Sequence, residues 1–159
     1  MTPWSQWPEE ERLLFNPALL AAVLAISAKS YFEQTGHSLP LPLAVVSVVL
    51  ALTPSFRTDK PKTTRTVLSA WLNDHPEHRI RLSQRAPFFV DAVRHAILFG
   101  CRYGALRVDH GAGLLPGGVK KHPVSDDVTA IFKTADFVGR WFAMTGAAST
   151  VMTLWGVKP

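Results

Sequence analysis

Ala105-Leu106-Arg107-Val108-Asp109-His110-Gly111-Ala112-Gly113-Leu114-Leu115-Pro116-Gly117-Gly118 interrupts a chain that otherwise reads as helix. Ala105 to Val108 is short and extended, Asp109 to Gly113 has the composition of a turn, and Leu114-Leu115 can return as a second strand before Pro116-Gly117-Gly118. Compact helices followed by a β-hairpin is the order of a winged helix; an irregular loop over 111–118 is the competing reading. The expected fold is mainly α: one domain over residues 1–159, with a winged-helix-like core of three helices plus a short β-hairpin, and packed C-terminal helices.

Working outward from the hairpin, the preceding segment predicts a helix from near Ile80 to Arg102 or Tyr103. Ala86, Val90, Val93, Ile97 and Cys101 form its apolar stripe, and Pro87 is an alternative start. Upstream, Glu9 to about Thr35 reads as a long helix, bent at Pro17 and stopped by Gly36. Leu41 to Leu52 is apolar on nearly every face, as a central buried helix would be, and Pro54 punctuates its end. Lys62 or Thr63 to Asn73 predicts a third helix. Downstream, Ser125 is a good N-cap, with Asp126 and Asp127 in the first turn of a helix reaching about Met144. A last helix runs from Ala147 or Ser149 to Trp155 and stops at Gly156.

At 159 residues with 47% apolar composition, the chain is large enough for one core without disulfides or metal. Cys101, the single cysteine, has no intramolecular partner. Its neighbours Phe99 and Gly100 predict burial, and a lone thiol fits a reducing cytoplasm. The start lacks a basic n-region and carries Glu9-Glu10-Glu11, unlike a secretory signal. The apolar runs 18–28 and 39–52 are broken and fall short of the roughly 18–20 residues that cross a bilayer, so no membrane partner is expected.

Nothing in the pattern assembles a catalytic site. No Gly-rich phosphate loop ending in Gly-Lys-Ser/Thr is present, so ATP hydrolysis by this chain alone is not expected. His75 and His78 read as turn residues, His95 stands alone on a helix, and His37, His110 and His122 lie in loops without a carboxylate or cysteine at ligand spacing. The acids are scattered, and helix capping accounts for Asp126-Asp127. Neither an enzyme, a metal site nor a cofactor site is expected.

Charge placement is more informative. Between Arg57 and Arg102, nine basic residues face four acids, a difference equal to the whole net charge of +5. Arg57, Lys60, Lys62 and Arg65 precede the third helix, Arg79, Arg81 and Arg85 crowd the start of the fourth, and Lys120-Lys121 flank the hairpin. These nine are the candidate DNA contacts, suited to backbone phosphates and therefore to sequence-tolerant, salt-dependent binding. A solvated surface or an acidic protein partner fits them equally well.

Leu14-Phe15-Asn16-Pro17, Ser38-Leu39-Pro40-Leu41-Pro42-Leu43, Ala70-Trp71-Leu72, Gly139-Arg140-Trp141-Phe142 and the closing Trp155-Gly156-Val157-Lys158-Pro159 form an ordered set. With these segments the chain resembles the middle component of three-component ABC systems, the small subunit of Lamassu-type bacterial defence operons. The resemblance covers nearly the whole chain. It implies a non-catalytic subunit that partners an SMC-like ABC ATPase and an effector, typically a nuclease, in defence against phage or plasmid DNA, with contact to double-stranded DNA as a secondary role. The candidate partner-binding residues are Trp4, Trp7, Phe15, Arg140, Trp141 and Trp155, because Trp and Arg are enriched in interface hot spots. Core packing is the simpler reading for Trp141 and Trp155, and docking for Trp4 and Trp7. An autonomous winged-helix DNA-binding regulator is the alternative, and predicts a symmetric homodimer.

Overall fold

The computed structural model describes residues 16–118, 120, 122 and 124–157. Helix α1 spans Pro17–Thr35. Asn16 caps it, its Oδ1 accepting from the Ala18 amide at 2.9 Å, and Pro17 follows at the position where a missing N–H is tolerated. Pro17 thus opens the described helix instead of bending a longer one; residues 9–15 of the expected helix lie outside the described residues. Gly36 ends α1 in the left-handed conformation at φ 71°.

Helix α2, Leu41–Leu52, is buried almost throughout, as its all-round apolar sequence requires. Its β-branched Val46, Val48 and Val49 each cost about 0.5 kcal/mol in helix propensity. Burying such a side chain contributes about 1.5–3 kcal/mol, so the surroundings and not the local preference make this segment helical. The next stretch departs from expectation. Pro54 starts a short helix, α3, Pro54–Asp59, where it was read as punctuation, and α4 covers only Leu68–Asp74. Pro61, which cannot donate a backbone hydrogen bond, lies in the non-helical segment between them.

The long helix α5 runs Pro76–Arg102 and passes through Pro87, so its start lies four residues before Ile80. Its inward face is Leu82, Ala86, Phe89, Val93, Ala96 and Gly100. This corrects the predicted stripe: Val90 and Cys101 are exposed. Two adjacent faces of α5 carry apolar residues at spacings of three and four, and spacing alone does not choose between them. The core thiol expected at Cys101 is instead at the surface.

The hairpin is real. Strands β1, Leu106–Val108, and β2, Leu114–Pro116, pair antiparallel with Leu106 opposite Pro116 and Val108 opposite Leu114. Leu39 exchanges both backbone hydrogen bonds with Leu114, at 2.9 and 2.8 Å, so the segment between α1 and α2 borders the hairpin. Asp109 organises the turn. Its Oδ1 accepts from the amides of Gly111 at 3.0 Å and Gly113 at 2.8 Å. The Ser38 hydroxyl, followed by these amides, holds the Asp109 carboxyl below its ordinary range.

Helices α6, Asp126–Thr145, and α7, Ala148–Trp155, complete the chain. Ser125 caps α6 as predicted, accepting from the Val128 amide. The closest helix contact is α1 on α6. A Cβ at Gly139 would stand 2.5 Å from the Ser27 carbonyl oxygen and 3.0 Å from the Ser30 Cβ. Small residues at this crossing let hydroxyls reach across: Ser27 Oγ donates to the Ala135 carbonyl at 3.1 Å, and Ser30 Oγ donates to the Asp136 carboxylate. The chain is therefore a mainly helical fold, with one small antiparallel hairpin among the described residues.

Two measurements test these contacts. Gly139→Ala should lower the unfolding free energy in urea by about 1–3 kcal/mol, because backbone must move to admit a methyl group; unchanged stability would mean that the crossing is not tight. Asp109 has a depressed folded-state pKa, so its stabilising contribution is complete above the ordinary value of 3.8 and is lost as pH falls through the lower folded value. The Gly111 and Gly113 amide shifts should accordingly titrate below that value, and titration at or above it would remove Asp109 from this role.

Candidate functional site

Seven of the nine basic residues offered by the sequence fall into two groups. Arg57, Arg81 and Arg85 turn inward on the segment that leaves α2. Arg57 Nη1 donates to the Ala51 carbonyl at 2.9 Å, Arg85 Nη1 donates to Thr53 Oγ1 at 2.8 Å, and Arg81 Nη1 donates to Ser55 Oγ. The C-terminal end of a helix carries unsatisfied carbonyls and partial negative charge, which guanidinium groups complement. Arg85 illustrates the cost: burial, followed by the nearby positive charge of Arg81, lowers its pKa from the usual arginine value. Arg57 fastens α3 to α2, while Arg81 and Arg85 fasten α5 to α3 and to Thr53 just before it.

The second group remains outward. Lys62, Arg65 and Arg79 are exposed, and Lys60 is half-buried with Nζ 5.8 Å from the centre of the Phe137 ring. Arg79 lies against Gly156, with its Nε 3.2 Å from the position a Cβ would take. Lys120 is exposed, and Lys121 lies outside the described residues.

Beneath this basic surface sits an aromatic centre. Phe56, Trp71, Trp141 and Trp155 surround one another, with ring centroids 5.6 Å apart for Trp71 and Trp141 and 5.7 Å for Phe56 and Trp71. Trp141 and Trp155 are fully buried. They are core residues, the simpler of the two readings given for them, and their burial removes them as anchors on a partner surface. Trp141 Nε1 donates to the Thr66 carbonyl at 2.8 Å, tying the loop before α4 to α6. Trp155 Nε1 is buried without a hydrogen-bond partner among the described residues. Arg140 is half-buried and forms an ion pair with Asp136 at 3.1 Å, one turn away on α6. Trp4, Trp7 and Phe15 lie outside the described residues.

The histidines at 75 and 78 have more to do than a turn would ask. Both rings stack on Trp71, with centroids at 4.5 and 5.3 Å. His78 is 2% exposed, and its Nε2 lies 2.9 Å from Asp59 Oδ2 and 3.9 Å from Glu77 Oε1. The carboxylate oxygen only accepts, so His78 Nε2–H donates, joining the end of α3 to the first turn of α5. Asp59, Glu77 and His78 also bring possible metal-ligand atoms within 4.8 Å of one another. Sequence reading missed this group because Asp59 lies 19 residues before His78 and the α3 turn that presents it was not foreseen.

The model of the ABC-three component (ABC-3C) system Middle Component 3 family matches residues 4–159. The chain belongs to this family. No match was found among curated proteins or solved structures. For this middle component, several of the segments that carry the resemblance have structural jobs. Asn16-Pro17 starts α1, Leu39 joins the hairpin, Trp71 centres the aromatic cluster, and Gly139 admits α1. Gly156 closes α7 at φ 72° in the left-handed region. They account for how the subunit is built.

The two buried indoles supply a paired test. Trp→Phe removes similar volume at either position, but Trp141→Phe also leaves the Thr66 carbonyl without its donor. Trp141→Phe should be the more destabilising by about 1–3 kcal/mol in parallel denaturation curves. Equal losses would show that the Trp141–Thr66 bond contributes nothing net.

Proposed function

We propose that this middle component is a non-catalytic subunit that docks on an SMC-like ABC ATPase and connects it to an effector nuclease, as in Lamassu-type defence against phage or plasmid DNA. Membership in the three-component family over residues 4–159 carries the reading. A middle component belongs to a system with other components, which favours an obligate subunit over an autonomous regulator. The exposed apolar side chains of Leu41 and Val90, which line one groove between α2 and α5, also support it, because contiguous apolar patches mark protein interfaces.

Contact with double-stranded DNA is secondary in this proposal and falls to the outward cations Lys60, Lys62, Arg65, Arg79 and Lys120. Arg57, Arg81 and Arg85 are occupied at the end of α2. A handful of lysines and arginines on a surface reads phosphate charge and not base identity.

Co-expression with the other two components of its system, followed by size-exclusion chromatography with light scattering, tests the subunit role. A stoichiometric complex containing all three chains is expected, and a middle component that elutes alone would overturn the proposal. For DNA, duplexes of unrelated sequence should bind alike, with affinity falling steeply between about 50 and 200 mM salt. Lys62→Glu with Arg65→Glu should weaken binding to all of them, and discrimination between sequences would favour a regulator instead.

A further inference from the structure

Helix α5 buries Leu82, Ala86, Phe89, Val93 and Ala96, yet it is apolar beyond that face. On one flank, Val90 and Ile97 face Leu41 and Val45 of α2 across an open groove of about 790 Å³, and Val157 lies at its edge. The groove makes one apolar strip along α5, with Val90 36% exposed on its wall. From Ser83 to Ile97, the helix wall is about 21 Å long at 1.5 Å per residue, or about four helical turns.

The borders of the strip are basic. Arg94 lines the groove, and Arg79 lies against Gly156, which also lines it. Asp91 offsets Arg94 at 3.7 Å, and both side chains are largely in solvent. An occupant matching this surface has an apolar stripe and acidic flanks.

We propose that the groove between α2 and α5 is the docking site for an amphipathic helix of the ATPase component, apolar residues inward and acidic residues towards Arg79 and Arg94. The inference rests on the subunit role proposed above and assigns that role a surface. A trough of this length between two helices suits a third helix, which anchors through side chains spaced three, four and seven apart. Basic borders steer an acidic partner to the site and fix its register, while the apolar floor supplies the area removed from water.

The test uses the full chain and the ATPase component of its own system, with affinity measured by calorimetry. Val90→Asp places a charge on the groove wall, and Arg94→Glu reverses the border. Both positions are accessible enough to change without rebuilding the core, and circular dichroism and melting curves check that they have not. Each variant should weaken the complex by about tenfold or more, while Lys133→Glu, exposed on α6, should leave it unchanged. Wild-type complex formation with both groove variants binding normally would overturn the groove and leave the subunit role standing. Failure of the wild type to bind the ATPase would overturn both. A homodimer dissociated by Val90→Asp would assign the groove to a second copy. Melting of the isolated chain at a lower temperature in both variants, with affinity preserved, would assign it to a segment of the chain itself. Either result would overturn the proposal.

Discussion

At Gly139 the backbones of α1 and α6 approach so closely that no side chain fits between them, and much of the fold is arranged around that approach. The two helices share a seam of small residues, and the hydroxyls of Ser27 and Ser30 find acceptors on the opposite helix instead of their own. Asp136 receives Ser30 on one side and Arg140 on the other, so the seam ends in a satisfied carboxylate. With α1 held there, α6 aims Trp141 and Phe142 inward, and the aromatic centre can close on Phe56, Trp71 and Trp155.

That centre explains why so many chemically suggestive residues serve architecture. Indole and imidazole rings stack where two short helices, α3 and α4, would otherwise be too small to hold their places. Arginines at the end of α2 and the His78–Asp59 bond pin the same region from the other side. The surface these residues do not use carries the outward cations from Lys60 to Arg79 and the second apolar flank of α5, and the proposed contacts are assigned there.

The long elements were legible because burial follows period. α2 is apolar all round and is buried all round; Ser125 and Gly156 announced the ends of α6 and α7, and Asp109 to Gly113 announced a turn. The stretch from Thr53 to Asp74 was legible only in part: a helix ending near Asn73 was expected, but the late start of α4 and the whole of α3 depend on tertiary contacts such as Trp141 to Thr66, which no local pattern records. The face of α5 was misjudged for a related reason. Val90 and Ile97 are as well spaced as Phe89 and Ala96, and only the packed structure tells the core from the groove. The inward use of Arg57, Arg81 and Arg85 was equally hidden, because a charge count cannot distinguish a cap from a footprint.

The Ser27–Ala135 bond spans 108 residues of sequence. A ribosome adding about 5–20 residues per second delivers α6 on the order of 5 to 20 s after α1. Throughout that interval α1 and α2, two of the most apolar segments of the chain, lack the helix that completes their cover. Contacts of such long range also slow folding, since loop closure precedes any gain from the seam. The architecture that leaves the finished subunit a stable scaffold therefore makes the nascent one dependent on reaching its last helices, and a message cut short before Gly139 yields a chain that exposes its core.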